Sequence, residues 1–209
     1  MVEPETASGW QPRAAWAGIS GEGRFGAEAG APGVTVKLRS ELSLATVIAR
    51  PDHVAALARH VEKQMELELP SGSSVTRSSD WTVVWAGPNR WLFLSDEEGR
   101  FGALFELLFT HAAISDQSDS RAVLSLSGPN IRQMLAKGFM LDLHDSAFPI
   151  GAAVLTSVAH VGVHAWRGEE GPDGPVFEIA VARSLAGSFW SWLSASAAEI
   201  GYRVGTDRD

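Results

Sequence analysis

Apolar and polar positions fall into two recurring periods along most of the chain. Leu42, Leu44, Thr46 and Ile48 alternate as one face of a strand, and Ala45 with Val47 makes the other face fairly apolar too. Pro51 suits the first turn of a helix, in which Val54, Leu57, Ala58, Val61 and Met65 keep the spacing of one buried stripe. A turn-rich segment over residues 70–79 follows. Trp81, Val83 and Trp85 then alternate, Gly87-Pro88-Asn89-Arg90 turns the chain, and Trp91, Phe93 and Ser95 return as a second strand. Phe101, Leu104, Phe105 and Leu108 predict the inner face of another helix.

The same order then recurs. Ala122, Leu124 and Leu126 alternate with Arg121, Val123 and Ser125 as a strand. Ser127-Gly128-Pro129 opens a helix carrying Ile131, Met134 and Leu135, and Gly138 is placed to end it in a left-handed conformation. The apolar run from Ala152 to Trp166 holds one or two strands. Residues 171–175 make a loop, and residues 177–182 another strand. The last helix is the clearest: Ala186, Phe189, Trp190, Leu193, Ala197 and Ile200 form one stripe, closed by Gly201. The repeated order predicts an α+β fold of two related β-α-β-β-α halves with antiparallel sheets. The expected boundaries are residues 38–114 and 115–209, packed as one globular unit.

Residues 1–37 show no sustained period and are rich in glycine, which predicts a flexible or partner-ordered arm. Within it, Gly21-Glu22-Gly23-Arg24-Phe25-Gly26 spells a dinucleotide fingerprint, with Glu41 at the spacing of a ribose-binding acid. That motif works only between a buried strand and a helix N-terminus. Here Gly30 and Pro32 break any following helix, so a nucleotide site is not expected.

Composition narrows the function classes. With 209 residues the chain buries about 70% of its unfolded surface, enough for a core without staples. There is no cysteine, which removes disulfide, thiol and iron–sulfur chemistry. A net charge of -8 argues against a nucleic-acid surface. The sequence shows neither a transmembrane run nor a signal peptide, and a cytoplasmic location is the default expectation. The 8 tryptophans favour a protein partner, because tryptophan concentrates at interface hot spots as well as in cores.

Each candidate for chemistry has a structural counterpart. His160 and His164, four apart in a predicted strand, start a zinc ligand set that Glu169 or Glu170 would have to extend; structural histidines are the simpler reading. Asp116, Asp119, Asp142 and Asp145 flank a strand and a helix, where aspartates ordinarily make turns and caps. Arg121 is a candidate staple, pairing with Asp116 or Asp142 to tie the two ends of this central unit. Trp81, Trp85 and Trp91 suit core or interface better than a planar cofactor, for want of convergent polar groups. Trp192 lies off the stripe of the last helix and is the candidate partner-interface residue.

Four stretches carry a family resemblance. DQSDSRAVLSLSGPNIRQMLAKGFMLDLH, the following AFPIGAAVLTSVAH, the upstream WAGPNRWLFLS and the downstream RSLAGSFWSWLSASAAEIG resemble the gamma subunit of heterotetrameric sarcosine oxidase. That family in turn resembles the folate-binding domain of the glycine-cleavage T-protein, an aminomethyltransferase, through Asp116, Ser118, Gly128 and Asp142. The resemblance covers about residues 42–202 and implies a fold of two related α+β halves.

It also implies one part of a flavoenzyme that oxidises sarcosine to glycine, forms hydrogen peroxide and passes the one-carbon unit to tetrahydrofolate. In such a complex FAD, FMN, NAD and tetrahydrofolate belong to partner subunits, and no cofactor is expected on this chain. The alpha subunit is the implied direct partner, with beta and delta in the same complex. In the aminomethyltransferase pattern a Gly-Gly turn after the second-half strand leads into paired acids, one of them catalytic. The corresponding place here is His160-Val161-Gly162-Val163-His164-Ala165-Trp166, without an acid. The expected role is therefore assembly and stabilisation. A stand-alone folate-binding aminomethyltransferase-like protein is the alternative.

Overall fold

In the computed structural model residues 14–206 are described. The first half runs β3 (Ser43–Ala49), α1 (Val54–Met65), β4 (Val75–Arg77), β5 (Thr82–Gly87), β6 (Arg90–Ser95), α2 (Phe101–Leu108) and β7 (Ala112–Asp116). The second runs β8 (Arg121–Ser127), α3 (Ile131–Leu135), β9 (Ala153–Val158), β10 (Val161–Arg167), β11 (Phe177–Ala182), α4 (Ala186–Ala197) and β12 (Tyr202–Thr206). Two further strands precede both, β1 (Gly23–Phe25) and β2 (Val34–Arg39). Each half is thus β-α-β-β-β-α-β. The duplication is real: the first half adds β4 and β7 to the strands the alternation predicts, and the second resolves the apolar run into two strands, β9 and β10, and adds β12. Of the extra ones, β4 with its three residues is too short to show a period.

The strand orders repeat the duplication. The smaller sheet is β4-β5-β6-β3-β7, and the larger is β9-β10-β11-β8-β2-β12-β1. Every pairing is antiparallel except β2 with β12. Helices α1 and α2 cover the outer face of the smaller sheet, where Leu57, Val61, Leu104 and Leu108 meet Ala45, Val47, Val83 and Phe93. Helices α3 and α4 cover the larger sheet, with Ile131, Met134, Phe189 and Leu193 over Leu124, Val163, Ile179 and Val36. The inner faces of the sheets meet through Leu44, Val84, Leu92 and Leu94 on one side and Val123, Trp166 and Ala180 on the other. The result is a four-layer helix–sheet–sheet–helix stack. A two-sided apolar strand such as β3 is what an inner sheet between two cores requires.

The expected arm is corrected over its described part; residues 1–13 lie outside the described residues. Val34 and Val36 are completely buried, and β2 sits inside the larger sheet between β8 and β12. Trp16 is buried and donates its indole N–H to the Val123 carbonyl at 2.8 Å. Val34, Val36 and Leu38 do alternate, but Gly30, Pro32 and Gly33 just before them hide the period. The glycine fingerprint forms edge strand β1 along β12, with Phe25 stacked on Tyr202 at 5.4 Å. No helix follows it, as the sequence argument required. The half boundary also shifts: Ser115 and Asp116 belong to β7, paired with Thr46 and Ala45.

Two side-chain placements differ from expectation. Gly138 does not take a left-handed conformation; instead a Cβ there would come within 2.6 Å of the Trp192 indole. Its role is close approach; Gly201 does take a left-handed conformation, at φ +74, but it ends the turn after the helix, whose last residue is Ala197. Phe105 is exposed and stacks on Phe109 at 5.8 Å, because Leu104 and Leu108 centre the buried stripe and leave it to one side.

Candidate functional site

The seam between the sheets is apolar in the middle and polar at its open rim. Glu178 stands alone among apolar neighbours in β11 and faces the smaller sheet, level with Ser125 of β8. It is buried, and desolvation pushes its carboxyl up while Arg39 and Arg77 pull it back. Arg39, at the end of β2, contacts Glu178 Oε2 at 3.3 Å and also pairs with Asp96. Around this pair opens a cleft of about 760 Å³, lined by Lys37, Arg77 and Trp81 among others. A second hollow of about 840 Å³ shares Arg39, Ser40 and Glu41 with it and reaches Asp116, Arg121 and Arg183. The two form one polar groove along the β2–β3 connection. Sequence reasoning missed Glu178, although a single acid inside the run Phe177–Ala182 was the available signal.

The predicted staple is not formed. Asp116 and Arg121 line the same hollow, but among the described residues Arg121 makes no ion pair. Asp116 accepts hydrogen bonds from the Ser118 amide and hydroxyl at 2.9 and 2.7 Å, and Asp142 accepts from the His144 amide at 2.9 Å. Both are turn aspartates. The residue that ties the helix to the following loop is Arg132, which donates to the Leu143 carbonyl at 3.0 Å and pairs with Asp145. Asp119 lies 3.8 Å from Arg183.

The histidine pair of β10 is also separated. His160 sits with Ala159 in the hairpin turn, both at positive φ, and the strand begins after it. His164 is buried against the smaller sheet with Nδ1 unbonded. Desolvation, then Arg121 and Arg90, lower its pKa to about 4, so it is neutral at pH 7. Glu170 pairs instead with Arg167. That guanidinium is fully buried, lies 4.9 Å from the Phe177 ring centroid and donates to the Val176 carbonyl at 3.0 Å.

Trp192 is half-buried, its ring 5.5 Å from Phe189 and its indole against Gly138. Trp192 lies off the buried stripe yet is partly covered, because the turn after α3 at Gly138, earlier in the chain, packs against its indole, which position along the helix does not show. Trp91 is buried and donates to the Pro70 carbonyl at 2.8 Å; Trp81 packs edge-on against Phe93 and walls the cleft.

Hydrolytic chemistry finds little here. Ser146 Oγ is 2.9 Å from His144 Nδ1, but Asp142 engages the His144 backbone rather than its ring, so the contact is a loop turn and not a triad. Among the described residues no three His, Asp or Glu side chains surround a common point. One histidine group lay beyond sequence reasoning. His53 at the start of α1, His60 two turns on and His111 before β7 come together only in the fold, with ring centroids 5.7 Å apart for His53–His111 and 5.3 Å for His60–His111. Burial, then His60 and His53, hold His111 below the usual histidine pKa. No described helix is long and apolar enough to cross a membrane.

Residues 50–199 match the sarcosine oxidase, gamma subunit family. Among curated relatives, sarcosine oxidase subunit gamma of Arthrobacter sp is 37% identical over 87 residues, 41% of this chain and 43% of the relative. That of Corynebacterium sp. (strain U-96) is 29% identical over 137 residues, 63% and 64% of the two chains. The aligned stretch thus spans less than two thirds of either relative. A chain of the heterotetrameric sarcosine oxidase from Corynebacterium sp. U-96, in complex with pyrrole 2-carboxylate, superposes with a TM-score of 0.71 at 28% identity, covering 82% of this chain and 87% of that one. Aminomethyltransferase T of the glycine cleavage system from Bartonella henselae gives a TM-score of 0.59 at 14% identity over 83% of this chain and 47% of that one, a likeness of fold alone.

Proposed function

Because the chain belongs to the sarcosine oxidase gamma subunit family, we propose that it is the gamma chain of a heterotetrameric sarcosine oxidase and supplies folded surface rather than reacting groups. The alpha subunit is its direct partner, with beta and delta in the same assembly, in the cytoplasm. FAD, FMN, NAD and tetrahydrofolate sit on those partners. The assembly oxidises sarcosine to glycine, forms hydrogen peroxide and hands the one-carbon unit to tetrahydrofolate. The observation that carries this reading is the match to a chain of a heterotetrameric sarcosine oxidase over most of both lengths. The site agrees with it in two respects. The middle of the seam is filled by Trp166 and leucines, and Glu178 is held by Arg39.

Co-expression with alpha, beta and delta tests the proposal. The chain is expected to co-purify in fixed stoichiometry, and its omission to lower the yield or thermal stability of the complex. A complex equally stable without it would overturn the assembly role. The isolated chain is expected to be colourless, and its tryptophan fluorescence to show no saturable quenching by tetrahydrofolate. Stoichiometric flavin or saturable folate binding would overturn the placing of those cofactors on partners.

A further inference from the structure

The inner faces of the two sheets are covered in the middle of the seam and open at one end. Alternation from Leu44 puts Ile48 of β3 on the inner face of the smaller sheet, with Arg90 opposite it on β6. Alternation from Ala153 and Trp166 likewise puts Leu155 of β9 and Gly162 and His164 of β10 on the inner face of the larger sheet. In the middle, Leu44, Leu92 and Trp166 are at most 2% exposed, whereas at the end Ile48 is 38% and Leu155 54% exposed. A Cβ on Gly162 would meet nothing within 4 Å, so that wall too faces open space. The outer-face neighbours Val47 and Val163 are completely buried, so the opening belongs to the seam and is not fraying of the strands.

Charge at this open end is one-sided. Arg90 of the smaller sheet and Arg121 of the larger make no ion pair among the described residues. Asp116 shares a hollow with Arg121, but its carboxylate is engaged by the Ser118 amide and hydroxyl. Both guanidinium groups lie close enough to His164 to lower its pKa, and the buried Nδ1 of that ring has no hydrogen-bond partner. Two guanidinium groups and a neutral imidazole together offer N–H donors to a carboxylate. Arg121 is half-buried, and an opposite charge set beside it offsets the cost of that burial.

We propose that this open end of the seam is where a partner subunit docks, through a segment that sets one Asp or Glu between apolar side chains. The carboxylate meets Arg90 and Arg121, and the apolar side chains cover Ile48 and Leu155. The inference rests on the assembly role proposed above and adds the surface through which that role is exercised. Charge complementarity selects this occupant over a second copy of the chain, since a two-fold contact through this face would bring the same arginines together.

The test uses the complex assembled from this full-length chain with alpha, beta and delta. A photo-crosslinking residue at Leu155 is expected to join a partner subunit, through a peptide that contains Asp or Glu. Gly162→Trp, which fills the open wall, and Arg90→Glu should each weaken association about tenfold or more. Added salt should slow association of the native chain more than that of Arg90→Glu. Gly102→Trp, at an equally open position on α2, should leave association within about twofold. The crosslink is read on a nearly native chain, so it decides the matter even where a variant misfolds. A crosslink to a second copy or to residues 1–13 of this chain, a linked peptide without an acid, or undiminished association of Gly162→Trp and Arg90→Glu would overturn the docking surface. So would an equal loss at Gly102→Trp. A native chain that does not assemble at all would overturn the assembly role itself, which separates the two failures.

Discussion

The two halves share one plan and differ at one place. In the first half β3 is flanked directly by β7, which returns antiparallel to it. In the second, the corresponding strands β8 and β12 are held apart by β2, so β12 lies parallel to the strand beside it. The first half closes its sheet with its own residues. The second recruits a strand and Trp16 from the N-terminal segment, and its core therefore depends on residues far away in sequence. A duplicated unit can accept an inserted central strand because antiparallel and parallel ladders have nearly the same spacing across the sheet.

The largest effect is expected where the halves differ. Val36→Asp places an uncompensated charge in β2, at a position with no solvent access, and should cost about 4 kcal/mol or more. Hydrogen exchange should show protection lost in β8, β11 and β12 before β3 and β6. Equal loss in both halves would break the comparison.

An intermediate effect is expected at the seam that joins them. The folded-state pKa of His164 lies below its unfolded value of about 6.5, so the unfolded chain takes up the proton first. The resulting stability is complete above about pH 7 and falls as the pH drops towards about 4. The loss is at most about 3 kcal/mol from this one group. Urea unfolding of the native protein and of His164→Gln at pH 7.5 and 5 measures it; a native slope no steeper than that of the variant would remove His164 from the account.

The smallest effect sharpens the role of the recruited tryptophan. Trp16→Phe keeps the apolar ring but removes the hydrogen bond to the Val123 carbonyl, an expected loss of about 1 kcal/mol by denaturant midpoint. A neutral substitution would mean that the ring alone holds the segment.

Much of this architecture was legible in the chain. The stripes of α1 and α4, the hairpin at Gly87–Arg90 and the strand Arg121–Ser127 all stand where their periods put them, because burial of one face imposes the period directly. The family likeness was legible too, from residues of the strand–turn–helix around Gly128. The candidate site was less so. Asp116 and Arg121 do share a hollow, yet an ion pair depends on a few ångströms that spacing does not encode. Glu178 and Arg39 are 139 residues apart, and nothing local in either announces the other.

What the sequence by itself determined is therefore the set of elements, their amphipathic faces and their duplicated order. Those follow from propensities and periods that act within a few residues. Only the tertiary structure decided that β2 enters the sheet, that Trp192 lies on Gly138, and that His53 and His111 meet. Each of these is a long-range contact, made when separate elements pack to exclude water, and no local pattern specifies which distant surface will complete a face.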